Sequence, residues 1–163
     1  MDYRKNKIQY LHWIKTKKDK QDYSSDSKYW GFQPIQPRYL KCLYDFYKDG
    51  YNFLDLGCGD GNVLNFAKNI GYNVSGVEYN KDFDQCLLEY DHLICDFTKL
   101  NTDYYNKFDF IYSYSPLKDE SDFFFNKLVY YMKNGAVLYL PIIEHRIKNK
   151  RIEMIGKSLY RRL

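Results

Sequence analysis

The sequence contains no uninterrupted run of about 18 apolar residues, the length a membrane span requires. Its four cysteines, Cys42, Cys58, Cys86 and Cys95, form no CxxC pair, and its three histidines, His12, His92 and His145, are scattered. Zinc sites are built from closely spaced thiolates and imidazoles, so no metal site is expected. The lysine-rich N-terminus lacks the apolar segment of a secretory signal, which argues against a disulfide scaffold. Reduced thiols in a cytoplasmic protein are the expectation, with no membrane partner. Alanine is nearly absent: Ala67 and Ala136 are the only two. In exchange the chain carries 19 tyrosines and 11 phenylalanines in 163 residues, so rings replace much of the usual Leu, Val and Ala. The length suits one domain, and the 28% of charged residues is ordinary for a folded chain. There are no internal repeats.

Charge is segregated. Residues 1–22 carry a net +4 and residues 145–163 a net +6, while 23–144 carry −6, which together give the overall +4. Basic arms flanking an acidic body can track phosphates or an acidic protein surface, or can simply be solvated ends.

Along the chain, Ile8, Leu11 and Ile14 predict a helix over 3–20, followed by a polar linker over 21–28. A proline-rich aromatic stretch (29–37) leads into a helix whose apolar face is Leu40, Leu43, Tyr44 and Tyr47, with Gly50 as its stop. Beyond it short apolar strands alternate with helices. Strands are predicted over 52–56, 73–78, 93–95, 108–114 and 135–143, and helices over 61–69, 81–90 and 121–132. That alternation predicts parallel βαβ units in an α/β, doubly wound, mostly parallel sheet. Residues 151–163 leave room for one more, antiparallel strand.

The chemistry-bearing motif is "FLDLGCGDGNVL" (53–64), where the first strand runs into Asp55-Leu56-Gly57-Cys58-Gly59-Asp60-Gly61 and then a helix. Glycines let the backbone turn sharply and approach a ligand at the positive end of a helix. A doubly wound sheet places its ligand beyond the carboxyl ends of its strands, where this loop lies. The dinucleotide fingerprint G-x-G-x-x-G would require glycine where Asn62 stands. Aspartates at 55 and 60 would repel a pyrophosphate, so a nicotinamide oxidoreductase is disfavoured and a cofactor with a positive end is the better match.

This segment resembles the first motif of class I S-adenosylmethionine-dependent methyltransferases. "VSGVEYN" (74–80) is similar to their second motif, with Glu78 placed 23 residues after Asp55, and "LICDFT" (93–98) supplies Asp96 for the third. The resemblance covers about residues 50–143. It implies a Rossmann-like fold with a shortened C-terminal strand region and an N-terminal helical extension. It also implies one methyltransferase domain over 1–163: a basic helix and linker (1–28), a cofactor-binding core (29–143) and a basic tail or strand (144–163). S-adenosylmethionine is the implied cofactor, with Gly57, Gly59 and Gly61 beneath its methionine portion and ribose and Asp55 near its ammonium. Glu78 would accept from the ribose hydroxyls, Tyr79 and Phe97 would flank the adenine, and Asp96 would receive its amino group. Carboxylates suit diols, and rings suit a flat base.

The acceptor side follows the fourth strand. Aligning "YSPL" (114–117) with the [N/D]-P-P-[Y/F] motif of nucleic-acid amino-methylating enzymes puts Tyr114 in the Asn/Asp slot, which lacks the side-chain carbonyl. Tyr114 is assigned the orientation of the acceptor rather than removal of its proton, since a phenol titrates near 10. Asp119, Glu120, Glu144 and His145 are weaker candidates for the proton. "GFQPIQPRYLKCLYDF" (31–46), through Pro34 and Pro37, resembles loosely the entry segment of small protein-lysine methyltransferases. A protein nitrogen, with lysine as the particular case, is therefore the favoured acceptor. RNA or DNA held by the basic termini is the alternative, and a non-catalytic cofactor-binding subunit is the third reading.

Overall fold

The computed structural model describes residues 37–114, 117, 121–141 and 147–163. The helix expected over 3–20, the segment around Tyr29, Trp30, Phe32 and Pro34, and Asp119, Glu120, Glu144 and His145 lie outside them. Seven strands form one sheet in the order β3-β2-β1-β4-β5-β7-β6. Strands β1 (Asn52–Leu56), β2 (Asn73–Glu78), β3 (Asp91–Ile94), β4 (Phe110–Tyr112) and β5 (Val137–Tyr139) are parallel. Strand β7 (Leu159–Arg162) runs antiparallel to β5, and β6 (Ile152–Gly156) antiparallel to β7 at the sheet edge. The described helices are α1 (Lys41–Asp45), α2 (Asn62–Ile70), α3 (Asp84–Leu87), α4 (Thr102–Tyr105) and α5 (Ser121–Tyr131).

Strand alternation sends side chains to two faces. Phe53, Phe110, Tyr112, Val137 and Tyr139 point into the core beneath α1 and α2. Leu54, Leu56, Ile111, Leu138 and Leu140 point into the core beneath α5. The first face is a tiled aromatic surface: Phe53 lies 5.8 Å from Phe110 and 6.2 Å from Tyr112, both near-parallel, and Tyr112 lies 5.9 Å from Tyr139. Offset rings at such distances pack favourably, which explains how a core so poor in alanine closes. Tyr72 joins it and donates its hydroxyl to the Leu43 carbonyl at 2.8 Å, tying α1 onto the sheet.

The C-terminal region corrects the sequence reading. A single antiparallel strand was the expectation for 151–163, and the sheet was expected to be short there. The segment instead folds back at Lys157-Ser158, with Ser158 at φ 56°, so both β6 and β7 fit into it. No single hydrophobic phase runs through Ile152, Met154 and Leu159, because the two short strands meet with a register shift between Met154 and Gly156. The predicted strands over 108–114 and 135–143 are also shorter than expected, pairing only over three residues each. Asn101 caps α4 by accepting from the Tyr104 amide, which starts a short helix between the third and fourth strands where the sequence pattern predicts none.

Candidate active site

The carboxyl ends of β1 and β2 and the loop between β1 and α2 form the site. Gly57, Gly59 and Gly61 have φ of 81°, 52° and 80°, a conformation that side chains resist. The Gly57 and Cys58 amides both donate to the Val77 carbonyl, at 2.8 and 3.2 Å, drawing the loop over the end of β2. Gly76 makes this approach possible: a Cβ there would lie 2.7 Å from Cys58 Sγ and 2.8 Å from Leu64 Cδ1. Its role was readable in principle, since a lone glycine inside an apolar strand signals a close neighbour.

Glu78 anchors the loop. One carboxylate oxygen accepts from the Gly59 amide at 2.8 Å, and the other from the Tyr79 and Asn80 amides, both at 2.9 Å. The sequence reading assigned Glu78 to a ligand diol alone; the structure adds this second task, which no motif encodes. Burial raises its titration point, opposed by the three amides.

Asp55 is 2% exposed, and its Oδ1 has no hydrogen-bond partner among the described residues. Its titration point is raised well above the ordinary carboxylate range, first by burial and then by the charges of Glu78 and Asp60. Burial, followed by the charges of Asp55, Glu78 and Asp60, also raises the titration point of the Cys58 thiol, which makes it an inert packing group. Three carboxylates thus converge on the glycine loop. Such an arrangement favours a cationic, multiply donating ligand.

The remaining predicted residues are distributed around this edge. Tyr79 follows Glu78 and is 44% exposed. Asp96 begins a 3-10 turn, its Oδ1 accepting from the Thr98 amide and hydroxyl at 2.9 and 2.6 Å. The Cys95 amide donates to the Glu78 carbonyl at 2.8 Å, so Asp96 sits next to the end of β2. Phe97 is a correction. It is 1% exposed, its ring meets Phe124 at 5.1 Å in a T-shape, and its carbonyl accepts from the Tyr105 hydroxyl. It belongs to the core beneath α5 and presents no face to an adenine.

At the end of β4, Ser113 is fully buried and donates to the Leu56 carbonyl at 3.0 Å, locking the ends of β1 and β4 together. Tyr114 follows at the carboxyl end of β4. Its ring lies 6.0 Å from that of Tyr39, and burial and Tyr39 raise its titration point, so its hydroxyl stays protonated at neutral pH. The Arg38 guanidinium stands 4.8 Å over the Tyr39 ring and donates to its hydroxyl at 2.8 Å. This Arg38–Tyr39 pair next to Tyr114 escaped the sequence reading, because the contact joins segments more than 70 residues apart. Among the described residues no group of three or more metal-ligating side chains is assembled, and no helix is long and apolar enough to cross a membrane.

No protein-family model and no curated protein matches the sequence. Solved structures do. A phosphoethanolamine N-methyltransferase of Haemonchus contortus, solved with phosphomonomethylethanolamine and S-adenosylhomocysteine, is 24% identical over 62% of this chain and 26% of its own, with a TM-score of 0.53. An S-adenosylmethionine-dependent methyltransferase of Archaeoglobus fulgidus is 26% identical over 62% of this chain and 48% of its own, with a TM-score of 0.52. A candidate RNA methyltransferase of Pyrococcus horikoshii is 19% identical over 86% of this chain and 71% of its own, with a TM-score of 0.58. The chain spans about a quarter to a half of the length of the first two. Its fold is the Rossmann-like fold of class I S-adenosylmethionine-dependent methyltransferases.

Proposed function

We propose that this chain transfers a methyl group from S-adenosylmethionine to a nitrogen nucleophile. The observation that carries the reading is the convergence of Asp55, Asp60 and Glu78 on a glycine loop where Asp55 Oδ1 is buried without a partner among the described residues. The donor supplies an activated methyl on a positively charged sulfur and brings an ammonium and a ribose diol. Asp55 meets the ammonium, Glu78 accepts from the diol with the lone pairs its three amides leave over, and Tyr79 and Asp96 border the adenine. The Gly57–Gly61 loop passes beneath the methionine portion and the ribose.

Methyl transfer of this kind is an in-line displacement: the carbon–sulfur bond breaks as the nitrogen–carbon bond forms, and the sulfur keeps the electron pair. The nitrogen then sheds a proton to water. The protein's part is alignment and exclusion of water. Tyr114, held protonated beside Tyr39, turns the acceptor toward the donor by hydrogen bonding rather than by taking its proton.

The sequence favours a protein acceptor, with lysine as the particular case, since ring faces attract a cation. The Arg38 guanidinium over Tyr39 bears against it, because that face already holds a positive charge. It favours the second reading, a nucleic-acid acceptor. Both are tested by incubating the protein with methyl-labelled donor and a cell lysate, then separating protein, RNA, DNA and small molecules. Label in none of the four fractions refutes the transfer reading and leaves a binding subunit. Calorimetry tests the cofactor separately: S-adenosylmethionine and S-adenosylhomocysteine should bind at micromolar strength and NAD should not.

A further inference from the structure

Helix α5 and the hairpin beside it form a surface that the cofactor site does not use. The buried side of α5 is Phe124, Phe125, Leu128 and Val129, continued by Met132 just past its end. On the opposite side Phe123, Lys127 and Tyr130 recur at i, i+4 and i+7, which places them on one stripe about 10 Å long. All three are exposed, Phe123 by 72% and Tyr130 by 55%. Two rings this open to water on one stripe make a contiguous exposed patch, and nothing in the core requires them there.

The chain entering β6 lies against this stripe. Asn149 donates to the Asn126 carbonyl at 3.2 Å, which seats the segment on α5. Arg151 then places its guanidinium 4.8 Å over the Tyr130 ring. Lys148 and Lys150 flank Asn149 and are exposed. From 147 to the C-terminus there are six basic residues and one acidic, Glu153; Asp122 is the acidic neighbour on α5. Exposed rings interleaved with cations are the chemistry of a strand whose phosphates need neutralising and whose bases need stacking partners. An acidic polypeptide would use the cations but not Phe123.

We propose that the outer face of α5, with the segment entering β6, binds a single-stranded nucleic acid. Arg151, Lys127 and the flanking lysines take the phosphates, and Phe123 and the face of Tyr130 that Arg151 leaves open stack on bases. The stripe runs along α5 toward its first turn. Because α5 follows β4, that turn lies at the carboxyl edge of the sheet, where the candidate site is. A strand laid along it reaches that edge of the sheet from the α5 face, whereas Tyr114 packs on the α1 and α2 face. The strand's use as methyl acceptor rests on the methyl-transfer reading; its binding does not.

Fluorescence anisotropy of the full chain with labelled 12-residue oligo-U and oligo-dT tests the proposal, with a polyglutamate peptide of equal charge as the contrast. At about 0.1 M salt the oligonucleotides should bind and the peptide should not, and the RNA and DNA arms show which sugar is preferred. Phe123→Ala and Tyr130→Ala should each weaken oligonucleotide binding by about tenfold. The pair Lys127→Glu/Arg151→Glu should remove about two phosphate contacts and lower the salt slope by about 1.4. These side chains are exposed, and thermal melting checks each variant; Lys127→Gln/Arg151→Gln carries the same test if the reversal unfolds the chain. Oligonucleotide binding that none of these changes moves overturns the proposal, as does preference for polyglutamate. Calorimetry of S-adenosylmethionine on the same variants should match the parent, so failure of the cofactor reading and failure of this one are separate results.

Discussion

Replacing Glu78 by glutamine should destabilise the protein, and replacing Asp55 by asparagine should stabilise it, although the two carboxylates share one site. Glu78 accepts three amides, from Gly59, Tyr79 and Asn80. A glutamine can offer its one carbonyl oxygen to Tyr79 and Asn80, but its NH2 then faces the Gly59 amide, donor against donor. Turning the side chain over makes two such conflicts instead of one. An unsatisfied buried amide costs about 1–3 kcal/mol. The net lies toward the lower end, because the neutral amide is also relieved of the carboxylate's burial penalty. For a domain of this size each kcal/mol lowers the melting temperature by about 2–4 °C. Asp55 is the opposite case: no donor among the described residues reaches its Oδ1, and burial, Glu78 and Asp60 all oppose its charge. Its native titration point lies above its unfolded one, so its favourable contribution is complete below about pH 4 and is lost as pH rises through the raised native value. Asp55→Asn should therefore gain stability at pH 8 relative to the parent and flatten the pH profile. Both variants should bind S-adenosylmethionine more weakly. Melting curves at pH 5 and pH 8 with parallel calorimetry read all of this. If Glu78→Gln melts like the parent, or Asp55→Asn melts lower at pH 8, the electrostatic account of the site is wrong.

Three further outcomes are expected. Gly76→Ala should lower stability by about 1–3 kcal/mol through overpacking against Cys58 Sγ and Leu64 Cδ1, measured by urea unfolding, and an unchanged midpoint would show that the loop does not press on β2 as described. His92 lies between the Asp84 carboxylate at 2.9 Å and the Tyr90 carbonyl at 3.0 Å, and Asp84, the carbonyl and the charge of Asp91 raise its titration point. Its stabilisation is therefore full below about pH 6.5 and is lost as pH rises through the raised native value, and His92→Phe should remove that slope from the melting profile. Tyr114→Phe and Tyr114→Ala should both reduce methyl transfer while leaving cofactor affinity near the parent's; normal turnover by Tyr114→Phe would make Tyr114 a packing residue.

Much of this molecule was legible because its signals are local. The strands Asn52–Leu56 and Asn73–Glu78 stand where the apolar runs put them, and the glycine loop sits between a strand and a helix, because turning a chain that sharply demands φ values only glycine adopts readily. The order of elements fixed the parallel sheet, since a strand–helix–strand repeat has one common way to close. Decisions that depend on contact across the chain were not legible. Nothing near Phe97 says whether its ring faces a ligand or Phe124, and only the packing of α5 onto the sheet turns it inward. Nothing near Glu78 says that Gly59, 19 residues earlier, already claims one of its oxygens. The last thirteen residues became two strands because a two-residue turn with Ser158 in left-handed backbone let β7 pair with β5 and β6 cover its open edge. Sequence determined which segments repeat and where the chain must bend; the tertiary structure decided which carboxylate is anchored and which keeps a buried oxygen with no hydrogen-bond partner among the described residues, because burial and shared donors exist only once the sheet is assembled.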